Sequence, residues 1–129
     1  MEIAVVCIGL LGLLLFALGL HVSMTRNRLG RVGTSSNDPA DPLFKAIRAH
    51  GNTAEYAPML AVLMLYLGAH SPAAWVAWVM IIVTVCRYLS AIGIVVCPTL
   101  DRPYPLRFVG AVGTYLGGII LSIAALATI

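Results

Sequence analysis

The chain is poor in charge. Of its 129 residues only 10% are Asp, Glu, Lys or Arg, 60% are hydrophobic, and the mean hydropathy is +0.97. A soluble domain carries about 25% charged and roughly 45–50% apolar residues. The deficit excludes an ordinary soluble domain and requires most of the surface to face lipid. So much Leu, Ile, Val and Ala also excludes intrinsic disorder and fibrous architectures. Cysteine is scarce and odd in number. Cys7, Cys86 and Cys97 lie within or at the edge of apolar runs. They lack metal-ligand spacing, so no metal site is expected, and they read as buried structural thiols. Repeats and low-complexity tracts are missing, and the length suffices for one domain, 1–129. Anionic residues are few, which leaves a net charge of +3, but five of the eight cations fall between Arg26 and Arg48. That is a local cluster, not a face for nucleic acid, and no nucleic-acid partner is expected.

Long uncharged runs are what the chain has instead. Ile3 to Val22 is twenty residues without a formal charge, enough to cross a hydrocarbon core of about 30 Å. Met1-Glu2 is no positive n-region, so this run reads as a retained membrane helix rather than a cleaved signal. Phe108 to Ile129 is a second run, of twenty-two residues, with Gly110, Gly113, Gly117 and Gly118 at helical spacings that suit close helix packing. Two less tidy spans lie between, about Leu43 to Ala69 and Ser71 to Cys97, separated by His70-Ser71-Pro72. The expected fold is all-α, an up-down bundle of four transmembrane helices at about 2–25, 42–69, 71–97 and 105–128, with a loop at about 26–41. Arg26, Arg28 and Arg31 follow the first helix and Arg102 and Arg107 the third, while the turn after the second is uncharged. The Lys/Arg bias puts the first and third loops in the cytosol and both termini opposite. Trp75, Trp78 and Tyr66 read as an aromatic belt on the outer side, and His21 and His70 as interfacial. Tyr104 and Tyr115 carry no assignment.

Polar residues converge in depth. Descending from Ala69 at 1.5 Å per residue, Glu55 lies roughly 21 Å down, and Arg87 lies roughly 24 Å below Ser71 on the next helix. An ionisable residue inside a membrane is a functional-site hypothesis by default. Arg48, Asn52 and Glu55 are spaced by four and three and so share a helical face. A buried Glu55–Arg87 ion pair, with Asn52 as polar glue, explains two of these residues. It does not explain why Arg48 continues the stripe, nor why Arg102 and Arg107 enter at the same membrane face. Excess cations at one interface imply an anionic ligand.

Phe44 to Met59 reads FKAIRAHGNTAEYAPM. The order and spacing of Arg48, Ala49, His50, Asn52, Glu55 and Pro58 resemble the second-helix signature of the MAPEG family, the membrane-associated proteins of eicosanoid and glutathione metabolism. Arg87 resembles the arginine of that family's third helix, and Pro-Leu-Arg at 105–107 resembles the start of its fourth. The resemblance implies a homotrimer in the lipid bilayer, with glutathione as co-substrate held between subunits near the cytosolic face. Residue by residue, it implies that Arg48, Asn52, Glu55, Tyr56 and Arg87 bind glutathione. His50 stands where the family has a polar residue toward the ligand, and Arg26 or Arg28 would reach in from a neighbour. Arg107, with Arg102 as its competitor, would face the sulfur as the catalytic cation, with Ser90 a donor beside it. The compact signature looks bacterial, which implies a bacterial inner membrane.

Ser90 and Ile94 stand where eicosanoid-making members carry His and Tyr, and Tyr88 is one residue out of register, about 100° round the helix. The departures point away from the eicosanoid specialities and leave glutathione binding intact. The expected activity is a glutathione transferase or peroxidase acting on a small lipophilic electrophile. The alternatives are a non-catalytic lipid- or glutathione-binding scaffold and an unrelated small transporter gated by Glu55 and Arg87. Saturable glutathione binding separates the last of these from the others.

Overall fold

The computed structural model describes every residue except Val32, Thr34, Ser35 and Ser71. Four helices follow in order: α1 Glu2–Arg28, α2 Pro42–Ala69, α3 Ala74–Val96 and α4 Pro105–Leu126. No strand occurs among the described residues. The first helix runs three residues past the expected end at 25, because nothing from Thr25 to Arg28 opposes helix. It stops at Gly30, whose φ of 64° is the left-handed geometry glycine adopts freely. There Gly30 N donates to Asn27 O at 3.1 Å and Arg31 N to Arg26 O at 2.9 Å, closing the helix end with a glycine cap. The expected start of the third helix, Ser71, lies outside the described residues. Ala73 is extended (φ −58°, ψ 151°), and helix begins at Ala74.

The second helix starts where its sequence places the signals. Pro42 occupies the first turn, where its missing N–H has no consequence, and the Asp41 carboxylate accepts from Leu43 N at 2.7 Å and Phe44 N at 3.3 Å. Arg31 forms an ion pair with the same carboxylate. The Arg31 hydrogen bond, helped by the two backbone N–H groups, holds the Asp41 carboxyl below the usual carboxylate range. Asp41 therefore stays ionised as a cap down to lower pH than a free carboxylate would.

Length and composition make three helices candidate membrane spans: α1, α3 and α4. Four were expected. The α2 helix has 28 residues, but Lys45, Arg48, His50, Asn52 and Glu55 in its first half depress its apolar character. Buried apolar residues run along α1, α2 and α3, from Ala4, Leu11, Leu60, Met64 and Met80 at one end to Val22, Leu43 and Ala46 at the other. By contrast α4 buries only Gly110, Thr114, Gly117 and Leu121, a single stripe laid on α3. Phe16, Leu20, Phe108, Leu116 and Ile123 are exposed, as lipid-facing positions would be.

Three of the four glycines singled out in the last span set how closely α4 approaches. A Cβ on Gly110 would meet Cys86 O and Ser90 Cα at 2.7 Å, one on Gly113 would strike Cys86 Sγ, and one on Gly117 would lie 2.8 Å from Val83 Cβ. Gly118 differs, since its nearest neighbour is Leu60 Cδ2 at 3.8 Å. On the α3 side, a Cβ on Gly93 would lie 2.8 Å from Arg107 Cα. Small residues thus fix the height and distance of Arg107 against α3.

Candidate functional site

The helices α2 and α4 run parallel, both starting at the end that carries the α1–α2 and α3–α4 loops, and a groove lies between them. At its loop end is a cavity of about 390 Å³. Arg48 and Asn52 of α2, Ser90 of α3 and Arg107 of α4 supply its polar wall, and Phe44 and Ile94 contribute apolar surface. Among the described residues no Asp or Glu lines it. Four of the residues expected from the sequence thus meet in one place.

Each is positioned by its helix. Arg107 sits in the first turn of α4, where Nη1 donates to Leu100 O at 3.2 Å and Nη2 to Arg102 O at 3.1 Å. The two carbonyls orient the guanidinium and leave three of its five N–H groups available. The loop that supplies them is itself tied down, since Leu100 N donates to Pro39 O at 3.1 Å and Lys45 Nζ to Cys97 O at 2.9 Å. Arg102, the competitor for this role, is exposed on that loop and lends its backbone carbonyl to Arg107. Ser90 is buried and Arg48 is exposed on the protomer.

Arg87 lies behind this wall, 1% exposed. Its Nη2 donates to Asn52 Oδ1 at 2.7 Å and to Thr53 Oγ1 at 3.4 Å, and its guanidinium carbon stands 5.2 Å over the Tyr56 ring. Its Nε is buried without a hydrogen-bond partner among the described residues. The expected alternative of a Glu55–Arg87 ion pair is not what the structure contains: Arg31–Asp41 is the ion pair among the described residues. The reason is azimuth. Depth brings Glu55 level with Arg87, but at 100° per residue Ala49, Thr53 and Ala57 define the buried side of α2, and Glu55 falls on the far side and is exposed. Residues in contact show coupling energies of about 0.5–3 kcal/mol. Asn52→Ala and Arg87→Met are therefore expected to couple in a double-mutant cycle on thermal stability, more strongly than Glu55→Gln and Arg87→Met. The reverse ranking would show that Arg87 has its main partner in Glu55.

Glu55 and Tyr56 open onto a second cavity, of about 510 Å³, further along the same groove. Tyr115, Leu60, Leu63 and Ile119 are among its walls. His50 is not in either cavity. It is turned 200° from Arg48, and a Cβ on Gly19 of α1 would lie 3.4 Å from its Nε2, so it faces α1. Arg26 is half-buried near the end of α1, with its Nε buried and without a hydrogen-bond partner among the described residues, whereas Arg28 is exposed. Neither lines the cavity of its own protomer, because α4 packs on α3 and α2 and not on α1. Tyr88 bonds Leu10 O at 2.8 Å across to α1, away from the groove, as its shifted register implies. Sequence reasoning did not find Thr53, Leu100 or Tyr115. Thr53 was legible as the residue four after Ala49 on the buried side, whereas a backbone acceptor such as Leu100 leaves no trace in residue type.

Among the described residues no three of His, Cys, Asp and Glu come together as a metal site would require. Four helices, three of them long and apolar enough to cross a membrane, agree with the fold implied by the resemblance read from the second helix. The MAPEG family model matches residues 4–127, and the chain belongs to this family, which includes glutathione transferases and peroxidases as well as non-catalytic members. No curated protein and no solved structure matches the chain.

Proposed function

We propose that the protein is a membrane-bound glutathione transferase that ionises the glutathione thiol and directs it at lipophilic electrophiles or lipid hydroperoxides. The carrying observation is the cavity walled by Arg48, Asn52, Ser90 and Arg107, cationic and, among the described residues, without an acidic one. Glutathione has two carboxylates, one ammonium and one thiol. Guanidinium groups suit its carboxylates through charge-assisted pairs, a part that fits Arg48, with Arg87 behind Asn52. Glu55, about two turns along α2 from Arg48, suits the ammonium, with Tyr56 beside it. A cation next to a thiol lowers its pKa and raises the population of nucleophile, and arginine stays charged at any working pH. Arg107 takes that part, with Ser90 as a hydroxyl within the same wall.

The reading includes a homotrimer. On a single protomer Arg48 and Glu55 are exposed along α2, and charges left toward lipid cost a few kcal/mol each. A neighbouring subunit covers that stripe and brings its Arg26 to the cavity rim. The four helices then form a multi-pass membrane domain with the cavity at the cytosolic end and the termini opposite, in keeping with the Lys/Arg bias. The purified protein is expected to turn over 1-iodohexane with glutathione above the spontaneous rate, saturating in both. Saturable glutathione binding without turnover of any electrophile would make it a non-catalytic member instead.

A further inference from the structure

The two cavities form one groove in two storeys. Along α4, Arg107 and Ala111 belong to the cationic storey and Thr114 and Tyr115 to the next. Along α2, Asn52 belongs to the first and Tyr56 to the second. Each step is one helical turn, about 5.4 Å. Arg87 spans the junction, bonded to Asn52 on one side and stacked on Tyr56 on the other.

The second storey is mostly apolar beyond this junction, where the Ser122 hydroxyl is turned onto its own helix and donates to Gly118 O at 2.8 Å. Met59, Leu63, Ile119, Ile123 and Leu126 line its length, whereas Glu55, Tyr56 and Tyr115 gather at the end that adjoins the cationic cavity. Its volume of about 510 Å³ suits one small ligand. The occupant it fits is a single apolar chain with one oxygen at the junction end. A neutral oxygen suits that end, where the Tyr56 and Tyr115 phenols offer hydroxyls and the Glu55 carboxylate is committed to the glutathione ammonium.

The tyrosines are not equivalent. Their rings lie 5.6 Å apart, and the Tyr56 hydroxyl donates to the Tyr115 oxygen at 3.4 Å. The Tyr115 proton has no acceptor among the described residues. Tyr115 is 49% exposed on the groove, while Tyr56 is half-buried and held by Arg87. A hydroxyl that accepts one hydrogen bond becomes a better donor of its own. Side chains on a helix lean toward its N-terminus, so both phenols lean toward the cationic storey.

We infer that Tyr115 is a catalytic hydrogen-bond donor to the carbonyl oxygen of an α,β-unsaturated aldehyde or ketone whose alkyl chain lies along the α2–α4 groove, with Tyr56 positioning it. The inference rests on the glutathione reading above and names the electrophile class for that site. In the step, the glutathione sulfur bonds to the β-carbon as the C=C pair shifts to form an enolate. Tyr115 donates its hydrogen bond to the enolate oxygen, where the negative charge develops. The α-carbon then takes a proton from water, which has received the proton released by the thiol, and the carbonyl is restored. The net reaction is addition of the thiol across the double bond.

Two electrophiles separate this role from packing. Displacement on 1-iodohexane develops charge on iodide and needs no oxygen donor, whereas addition to trans-2-nonenal does. In the full-length protein with glutathione, Tyr115→Phe is expected to lower the ratio of nonenal to iodohexane turnover ten-fold or more. Tyr56→Phe should lower the same ratio a few-fold, by releasing the orientation of the Tyr115 hydroxyl. A ratio unchanged in Tyr115→Phe overturns the inference, whether both rates persist or both fall. A fall in both rates with loss of oligomer on native mass spectrometry would assign the tyrosine pair to subunit packing. Absence of saturable glutathione binding in the wild type would remove the underlying reading and this one with it.

Discussion

Gly110→Ala should cost the protein more stability than any other single methyl added to α4, and it should take much of the activity with it. The new Cβ would meet Cys86 O and Ser90 Cα at 2.7 Å, and the Ser90 backbone N besides. Backbone atoms cannot rotate away, so α4 must retreat from α3. Overpacking costs about 1–3 kcal/mol, and a clash with helix backbone belongs at the top of that range. For a chain of this size that is a fall in Tm of about 10 °C. The same retreat moves Arg107 off its seat on Gly93 and widens the cavity wall shared by Ser90 and Arg107. Gly118→Ala is the matched control, since its Cβ would make an ordinary contact with Leu60 Cδ2 at 3.8 Å. Thermal unfolding in detergent, followed by circular dichroism, measures both. Equal shifts for the two variants would show that α4 is not seated on its glycine stripe.

Arg107→Ala should lower turnover at neutral pH ten-fold or more and leave glutathione affinity within a few-fold. A thiol of ordinary pKa near 8.5 is a few per cent ionised at pH 7, and lowering that pKa by two units corresponds to about 2.7 kcal/mol of thiolate stabilisation. The pH dependence carries the sign. With Arg107 present the bound thiol should already be ionised at neutral pH, and the rate should be flat above it. Without Arg107 the rate should climb about ten-fold per pH unit until the thiol ionises unaided, so the deficit shrinks as pH rises. Arg107 also holds the Leu100 and Arg102 carbonyls, so loss of the loop must be told apart from loss of the charge. Arg107→Lys keeps a cation but cannot repeat the forked bond to both carbonyls, and it should recover much of the neutral-pH rate. Arg102→Ala retains the backbone carbonyl and should change neither rate nor affinity. If Arg107→Ala abolishes glutathione binding instead, Arg107 clamps a carboxylate.

What could be read from the sequence was periodicity and depth. The four-and-three spacing of Arg48, Asn52 and Glu55 marked a polar face on α2, and the uncharged runs marked apolar helices on either side of it. Azimuth was harder, because it depends on which side of α2 meets α3. Glu55 and Arg87 share a depth, yet Asn52, Thr53 and Tyr56 hold the Arg87 guanidinium, while Glu55 faces outward. His50 matches its family signature in register and packs on Gly19 of α1. Nothing in residue type foretold that two backbone carbonyls would aim Arg107, or that Tyr115 would meet Tyr56 across 59 residues of chain. Both are products of the parallel placement of α2 and α4.

Calorimetric titration of the purified protein with glutathione bears most directly on whether the cationic cavity is a glutathione site. The wild type should give saturable binding at no more than one site per chain. Arg48→Ala should weaken it at least ten-fold, the loss of a charge-assisted carboxylate clamp, and Arg107→Ala should leave it within a few-fold. Heats that never saturate in the wild type, or affinities unmoved by Arg48→Ala, would contradict the assignment of that cavity to glutathione.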